Sequence, residues 1–267
     1  MRPLSELPRA VLARMRGVFC DIDDTLTTDG HLTAEAYGAM ERLQRAGLQV
    51  MPVTGRPAGW CDHIARMWPV DAVVGENGAF YFMYDRQASK FIKRYAANEA
   101  ERKRNRERLR AVGERILQEV SGAAYASDQQ YREADLAIDF CEDVPRLPET
   151  EVDRILAIMR ESGMSAKLSS IHVNGWYGDY DKLDMTKTLM HERFNCDLDG
   201  EREHFVFIGD SPNDAPMFAY FPYSVGVANV REAASRLETP PAYVTQTRCG
   251  QGFAELASAL IAARAGA

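Results

Sequence analysis

Two aspartates close a short apolar run near the start of the chain. Residues 18–26 read Val-Phe-Cys-Asp-Ile-Asp-Asp-Thr-Leu. Side chains alternate along a strand, so Asp21 and Asp23 point to the same side at its end. Two such carboxylates repel each other and lose hydration, which favours a divalent cation and a carboxylate nucleophile, and so phosphoryl chemistry. The structural alternative is a capped turn, since Asp and Thr are ordinary turn and N-cap residues.

Further polar clusters follow later apolar runs or open helical patterns. They are Thr54-Gly55-Arg56, Asp184-Met185-Thr186-Lys187 and the run from Gly209 to Asp214. The carboxyl ends of parallel strands meet at one edge of a sheet, where ligands of open α/β folds bind. We therefore expect these clusters to gather there around Asp21 and Asp23.

The elements that position these clusters are strands alternating with helices. This order predicts an α/β fold, an open parallel sheet of Rossmann-like type with an inserted α+β cap. Buried strands are predicted over 17–22, 48–53, 71–74 and 205–208, with helices over 33–46, 57–68 and 252–263. The middle of the chain predicts a hairpin (79–84 and 91–95), helices over 98–120 and 148–162, and a strand over 167–176. The predicted core is 1–84 plus 181–267, and the predicted cap is 85–180.

Composition excludes several other classes of protein. A net charge of −7 argues against non-specific nucleic-acid binding. No apolar stretch approaches the ~18 residues of a membrane span. The five cysteines are odd in number and lack a CxxC spacing, which predicts a reduced, cytoplasmic protein without a zinc site. Charged residues interrupt the first sixteen residues, which makes them a poor signal peptide. Monomer and homodimer both remain open.

Taken together, the clusters resemble those of the haloacid dehalogenase-like hydrolases. The likeness covers nearly the whole chain and includes Glu76-Asn77-Gly78 after the third strand and Gly250-Gln251-Gly252-Phe253 at the last helix. The chain is most similar to the branch with a type IIB cap, which includes the Cof-type and sucrose-phosphate-phosphatase-like enzymes. The resemblance implies a phosphatase that acts on a small phosphorylated metabolite, such as a sugar phosphate, with Mg²⁺ as cofactor.

The resemblance also assigns roles to four aspartates. Asp21 would be the nucleophile that carries an aspartyl phosphate, and Asp23 the acid that protonates the leaving oxygen and then activates water. Asp21, the Asp23 backbone carbonyl and Asp210 would hold Mg²⁺. Asp214 would orient a metal-bound water or Lys187. An Asp at position 23 resembles the phosphatases and phosphomutases of the family rather than its transport ATPases.

Five further residues are candidates for binding the phosphate or the rest of the substrate. Thr54 offers a hydroxyl, Gly55 a backbone N–H that can approach closely, Lys187 a positive charge and Asn213 an amide donor. Lys187 opens an apolar helical pattern, although Lys182 lies nearby. Arg56 is expected either to touch the substrate or to form a structural ion pair.

The cap is expected to exclude water and to select the substrate. His172 and Asn174, within Ser169–Tyr177, are its candidate contacts, and packing roles are the alternative. The charged helix over 98–120 is interpreted as a solvated face, with a cationic lid as the second possibility. Two rival functions share the motifs: a sugar-phosphate phosphomutase, and a regulator that binds a phosphorylated metabolite without turnover.

Overall fold

Apolar strands that end in the polar clusters form the centre of the computed structural model, which describes residues 1–265. The strands are β1 (Arg2–Pro3), β2 (Gly17–Cys20), β3 (Thr27–Thr28), β4 (His31–Leu32), β5 (Gln49–Pro52), β6 (Val73–Gly75), β7 (Phe80–Asp85), β8 (Lys90–Tyr95), β9 (Ala124–Tyr125), β10 (Asp135–Asp139), β11 (Ser165–Leu168), β12 (His172–Trp176), β13 (Phe205–Gly209), β14 (Val225–Gly226) and β15 (Tyr243–Val244). The helices are α1 (Arg9–Ala13), α2 (Ala34–Arg45), α3 (Ala58–Met67), α4 (Glu99–Glu119), α5 (Glu149–Glu161), α6 (Lys182–Phe194), α7 (Leu198–Glu201), α8 (Ala215–Tyr220) and α9 (Cys249–Arg264). Among residues 1–265, no helix is both long enough and apolar enough to cross a bilayer.

The main sheet is parallel and has the order β1-β15-β14-β13-β2-β5. Strand β2 is buried along its length and pairs with β13 on one side and β5 on the other. Apolar side chains of α2, α3 and α9 cover one face, and those of α6 and α8 cover the other. The predicted α/β fold with an open parallel sheet is confirmed, and the carboxyl ends of β2, β5 and β13 lie at one edge.

The hairpin β7–β8 belongs to the core side of the molecule. β8 pairs with β7 and β7 with β6, and the parallel bridge between Val53 and Val74 joins this small sheet to the main one. Tyr95, at the end of β8, packs edge-on against Phe80 and Phe82 of the core. The predicted boundary at residue 85 would cut this hairpin in two. We therefore propose that the cap begins after Tyr95.

The cap is an antiparallel sheet with the order β11-β12-β10-β9, and α4 and α5 pack against it. The predicted single strand over 167–176 is wrong, because a turn separates β11 from β12. Ser169 closes this turn: its Oγ accepts a hydrogen bond from the backbone N–H of His172 at 2.9 Å and lies 3.0 Å from the His172 carbonyl oxygen. The turn delivers the start of β12 to the edge of the main sheet.

A buried glutamate joins the core to the cap. The carboxylate of Glu76, directly after β6, accepts hydrogen bonds from the backbone N–H groups of Ala58 in the core and of Glu133, Ala134 and Asp135 in the cap, at 2.6–3.1 Å. Glu76 has no solvent exposure. Four backbone donors, two of them in the buried residues Ala58 and Asp135, therefore depend on one side chain.

We expect Glu76→Ala to lower the free energy of unfolding by about 3 kcal/mol or more, because buried N–H groups would lose their acceptor. Urea denaturation followed by circular dichroism would measure it. Glu133→Ala is the matched control, since the backbone of Glu133, and not its side chain, meets Glu76. A loss no larger than that of the control would contradict this account of the joint.

Candidate active site

The nucleophile candidate Asp21 lies against a buried lysine. Lys182 Nζ donates to Asp21 Oδ1 at 2.8 Å and to Asp214 Oδ1 at 2.7 Å. Burial raises the pKa of Asp21 to about 8, an effect that Lys182 opposes and Asp214 reinforces. Burial opposes the charge of Lys182, but the two carboxylates outweigh it and raise the pKa of the ammonium. The lysine therefore stays charged between two acids.

The prediction that Lys187 faces the site is wrong. Its Nζ lies 2.7 Å from Asp199 Oδ1, in a pair that is partly exposed to solvent. α6 begins at Lys182, and the Asp181 side chain caps it by accepting N–H groups of its first turn. Residue 182 therefore faces the sheet edge, while residue 187, about one and a half turns later, faces away. The N-cap type of Asp181 was the sequence signal for the alternative lysine.

The start of α6 is held by a close backbone contact. Gly78 has a φ of 105°, and a Cβ at this position would lie 1.9 Å from the Asp181 carbonyl oxygen and 2.9 Å from the Lys182 nitrogen. Only glycine tolerates both the conformation and the approach. The loop after β6 thereby sets the position of Lys182.

A third carboxylate completes a buried acidic cluster. Oxygen atoms of Asp21, Asp210 and Asp214 all lie within 4.8 Å of one another. Burial, with added repulsion from Asp21 and Asp214, raises the pKa of Asp210 well above its usual range. Three buried carboxylates lie around the ammonium of Lys182, so one positive charge faces up to three negative charges. A hard, oxygen-preferring cation such as Mg²⁺ fits this donor set.

Asp214 is the most fully engaged member of the cluster. Besides Lys182, it accepts the backbone N–H groups of Asp210 and Ser211 at 3.1 and 3.3 Å. It lies within the capping box that starts the turn after β13. These contacts place Asp214 against Lys182 and the Asp210 backbone, and not against Lys187, which the sequence favoured as its lysine partner.

Asp23 is paired with Arg56. Arg56 Nε lies 2.9 and 3.0 Å from the two Asp23 oxygens, and its Nη atoms meet Asp128 and Glu142 of the cap at 3.3 and 2.7 Å. Of the two expectations for Arg56, the structure contains the ion pair. A contact between Arg56 and substrate would have to displace one of these carboxylates.

The loop after β5 frames the other side of the site. Thr54 is fully buried, and its Oγ accepts the backbone N–H of Arg56 at 3.0 Å. A Cβ on Gly55 would lie 3.1 Å from the Asn77 side chain, so the loop runs close to the turn after β6. Asn213 Nδ2 lies 3.4 Å from the Asn77 Oδ1 atom. Asn77 therefore joins the two phosphate-binding candidates, Gly55 and Asn213.

Core and cap residues meet around a cavity of about 10 Å³, roughly the space of one water molecule. The core contributes Asp21, Asp23, Gly55, Arg56 and Asn213, and the cap contributes Ser169, Ile171, His172 and Asn174. The structure thus brings the predicted cap candidates His172 and Asn174 to the predicted catalytic carboxylates. Their observed partners are cap carboxylates: His172 Nε2 lies 2.8 Å from Glu142, and Asn174 Nδ2 donates to Asp135 at 3.1 Å.

Sequence reasoning missed Glu142 and Asp128. Both lie in cap segments without a recognisable motif, and they reach Arg56 only because the cap folds over the core. No local pattern marks such a contact.

A family model for the haloacid dehalogenase-like hydrolases matches residues 18–137 and 179–255, more than half of the chain. The chain belongs to this hydrolase family. The match spans the β2, β5, β6 and β13 strand ends, which hold the cluster around Asp21. The match confirms the predicted family and the prediction that the protein is an enzyme. The comparison with curated proteins gave no match.

Solved structures of this hydrolase fold extend the likeness to the cap. The trehalose-6-phosphate phosphatase C-terminal domain of C. albicans has a TM-score of 0.72 and 13% identity over 98% of each chain. The sucrose-phosphatase of Synechocystis, solved with sucrose and phosphate, has a TM-score of 0.63 and 15% identity over 92% of this chain and 98% of its own. A sugar phosphatase of HAD subclass IIB has a TM-score of 0.59 and 14% identity over 94% and 99%. Because these matches cover 92–98% of this chain, they confirm the predicted fold over both core and cap.

Proposed function

We propose that this hydrolase is a Mg²⁺-dependent phosphatase of small phosphate monoesters, with a sugar phosphate or a related metabolite as substrate. One observation carries the proposal: Asp21 is buried against Lys182 beside Asp210, while Asp23 faces the same cavity. This set combines a nucleophile, a fixed positive charge, a cation site and a proton donor.

The proposed reaction has two steps. Asp21 attacks phosphorus and forms an aspartyl phosphate, while Asp23 gives its proton to the leaving alcohol oxygen. Asp23 then takes a proton from the water that attacks the aspartyl phosphate, which releases inorganic phosphate and restores Asp21. Lys182, the Thr54 hydroxyl, the Gly55 N–H and the Asn213 amide would surround the phosphoryl oxygens.

The cation would be held by the carboxylates of Asp21 and Asp210, with the Asp23 carbonyl as a further proposed ligand. When bound, it would neutralise charge on the phosphoryl group. Asp214 would keep Lys182 and the Asp210 backbone in place.

We assign the leaving group of the substrate to a second, larger cavity. A cavity of about 620 Å³ lies between core and cap and includes Asp24 and Asp210 from the core and Phe140 and Arg146 from the cap. Ser169 lines both this cavity and the small one over Asp21. Its hydroxyls, amides, charged groups and apolar wall suit a hydroxylated ligand. The neighbouring sugar phosphatases favour the same class of substrate.

All five cysteines are free thiols in the structure, which supports a reducing compartment such as the cytoplasm as part of the proposal.

Phosphate release from a panel of sugar phosphates, with Mg²⁺ or with EDTA, tests the proposal. Metal-dependent release of phosphate is the expected result. Phosphoryl return to a sugar, together with a bisphosphate requirement, would favour a phosphomutase. Metal-dependent binding without turnover would favour a regulator.

We expect Mg²⁺ to bind more tightly as the pH rises from 6 towards 8. Burial raises the pKa of Asp21 to about 8 and also raises the pKa of Asp210, so both carboxyls must lose protons to the solvent before the cation binds. Each proton released strengthens binding up to about tenfold per pH unit below the pKa. Calorimetric titration at pH 6, 7 and 8 would measure it.

Asp210→Asn is the control for the magnesium titration, because it removes one proposed ligand and one of the two titrating groups. It should weaken binding and flatten the pH dependence. A dissociation constant that does not change with pH in the wild type would contradict the prediction.

A further inference from the structure

A single guanidinium connects the proposed proton donor to the cap. Arg56 Nη2 lies 2.7 Å from Asp23 Oδ1 and 2.7 Å from Glu142 Oε1, and Nη1 lies 3.3 Å from Asp128 Oδ2. The Arg56 side chain is only 5% exposed. Hydrogen bonds between charged groups are strong, and a guanidinium bonded on several edges has one orientation. Cap carboxylates therefore fix the group that holds Asp23.

Glu142 is itself held in place on two sides. Its Oε2 atom lies 2.8 Å from His172 Nε2 at the start of β12. The Asp139 carboxylate, at the end of β10, accepts the backbone N–H groups of Cys141, Glu142 and Asp143 at 2.7–2.8 Å. The loop that carries Glu142 is thus tied to the cap sheet.

The charge of Glu142 is secured by the same contacts. Burial opposes it, but the close contacts with His172 and Arg56 prevail and lower the pKa of Glu142 to about 2. A fixed, ionised carboxylate on the cap is suited to orient an arginine of the core.

We propose that Glu142 is a positioning residue for Asp23 and acts through Arg56 when the cap covers the core. With Glu142 in place, Arg56 holds the Asp23 carboxyl group where, once it has taken a proton from the solvent, it can reach the leaving oxygen. The Asp23 O–H bond then breaks as the alcohol O–H bond forms, while the P–O bond to the alcohol breaks and the bond from Asp21 to phosphorus forms. The inference rests on the proposed phosphatase function and adds that the proton donor is set only under a closed cap.

Leaving groups of different basicity test this inference. An alkoxide leaves poorly without a proton, whereas p-nitrophenolate leaves readily. We expect Glu142→Ala to lower kcat/KM for β-glycerol phosphate by roughly tenfold or more, and for p-nitrophenyl phosphate by less than about threefold. The ratio kcat/KM reports the steps up to departure of the alcohol, so slow hydrolysis of the aspartyl phosphate does not mask the difference.

Asp143→Ala is the matched control, because it removes a carboxylate from the same loop while its backbone N–H still bonds to Asp139. Both esters should keep their wild-type kcat/KM. Arg56→Lys, which keeps the positive charge but loses the planar fork, should show the same selective loss as Glu142→Ala.

Equal losses on both esters, or no loss on either, would overturn the positioning role while leaving the phosphatase proposal intact. Failure of the wild type to release phosphate from either ester and from every member of the sugar-phosphate panel would overturn the proposed function and the inference together.

Discussion

Asp21→Asn is expected to lower kcat by about 10³-fold or more for any phosphate monoester that the protein hydrolyses. An amide cannot form the acyl phosphate, and the oxygen it keeps is a weaker metal ligand. Initial rates with p-nitrophenyl phosphate at saturating Mg²⁺ would measure the loss.

The same variant should stay folded. Burial raises the pKa of Asp21 to about 8, so its charged form is disfavoured by the fold, and Lys182 keeps its contact with Asp214 when Asp21 becomes neutral. Without metal, the melting temperature of Asp21→Asn is expected to be no lower than that of the wild type.

Glu35→Gln is the control for Asp21→Asn, because Glu35 is an exposed acid in the first turn of α2, away from both cavities. It should retain its rate. A rate for Asp21→Asn within a few-fold of the wild type would exclude Asp21 as nucleophile.

Lys182→Met is expected to reduce both activity and stability. Removing the ammonium leaves Asp21 and Asp214 buried without their partner, which costs about 3–5 kcal/mol when one member of a buried pair is lost. Phosphoryl oxygens lose a fixed charge as well, so kcat should fall by roughly 10²-fold or more. Urea denaturation and steady-state kinetics would measure the two effects, and Mg²⁺ should restore part of the stability.

Lys187→Met supplies a sharp comparison, since it removes the lysine that the sequence pattern favoured. Lys187 pairs with Asp199 on the outer side of α6, and both groups are partly exposed. Little change is expected in rate or in unfolding. Loss of activity in Lys187→Met, with Lys182→Met active, would refute the placement of the lysine in the structure.

The parallel core could be predicted because its evidence is local. Apolar runs ending in carboxylates mark β2 and β13, and their common direction brings Asp21 and Asp210 to one edge. Helix start signals were equally readable: Thr33 caps α2 and Asn98 caps α4, as their residue types suggest.

The predictions that failed concern helix faces and contacts between residues far apart in the sequence. A displacement of five residues along α6 exchanges the buried face for the outer one. Lys182 and Lys187 could therefore be told apart only by the helix N-cap residue Asp181. β8 lies with the core, and not with the cap, because Tyr95 packs against aromatic side chains of the core. Glu142 meets Arg56 across the core–cap interface, a long-range contact that no local spacing encodes.

The contact between Gly78 and the start of α6 limits how this enzyme can be altered by evolution or by engineering. A methyl group at residue 78 would lie 1.9 Å from the Asp181 carbonyl oxygen, so loop and helix would have to separate by roughly 1 Å or more. Lys182 would then withdraw from Asp21 although every reacting group was still present. Libraries that seek new substrates can therefore vary cap residues that touch neither Arg56 nor Glu76, whereas a single alanine at residue 78 would abolish the activity of every member.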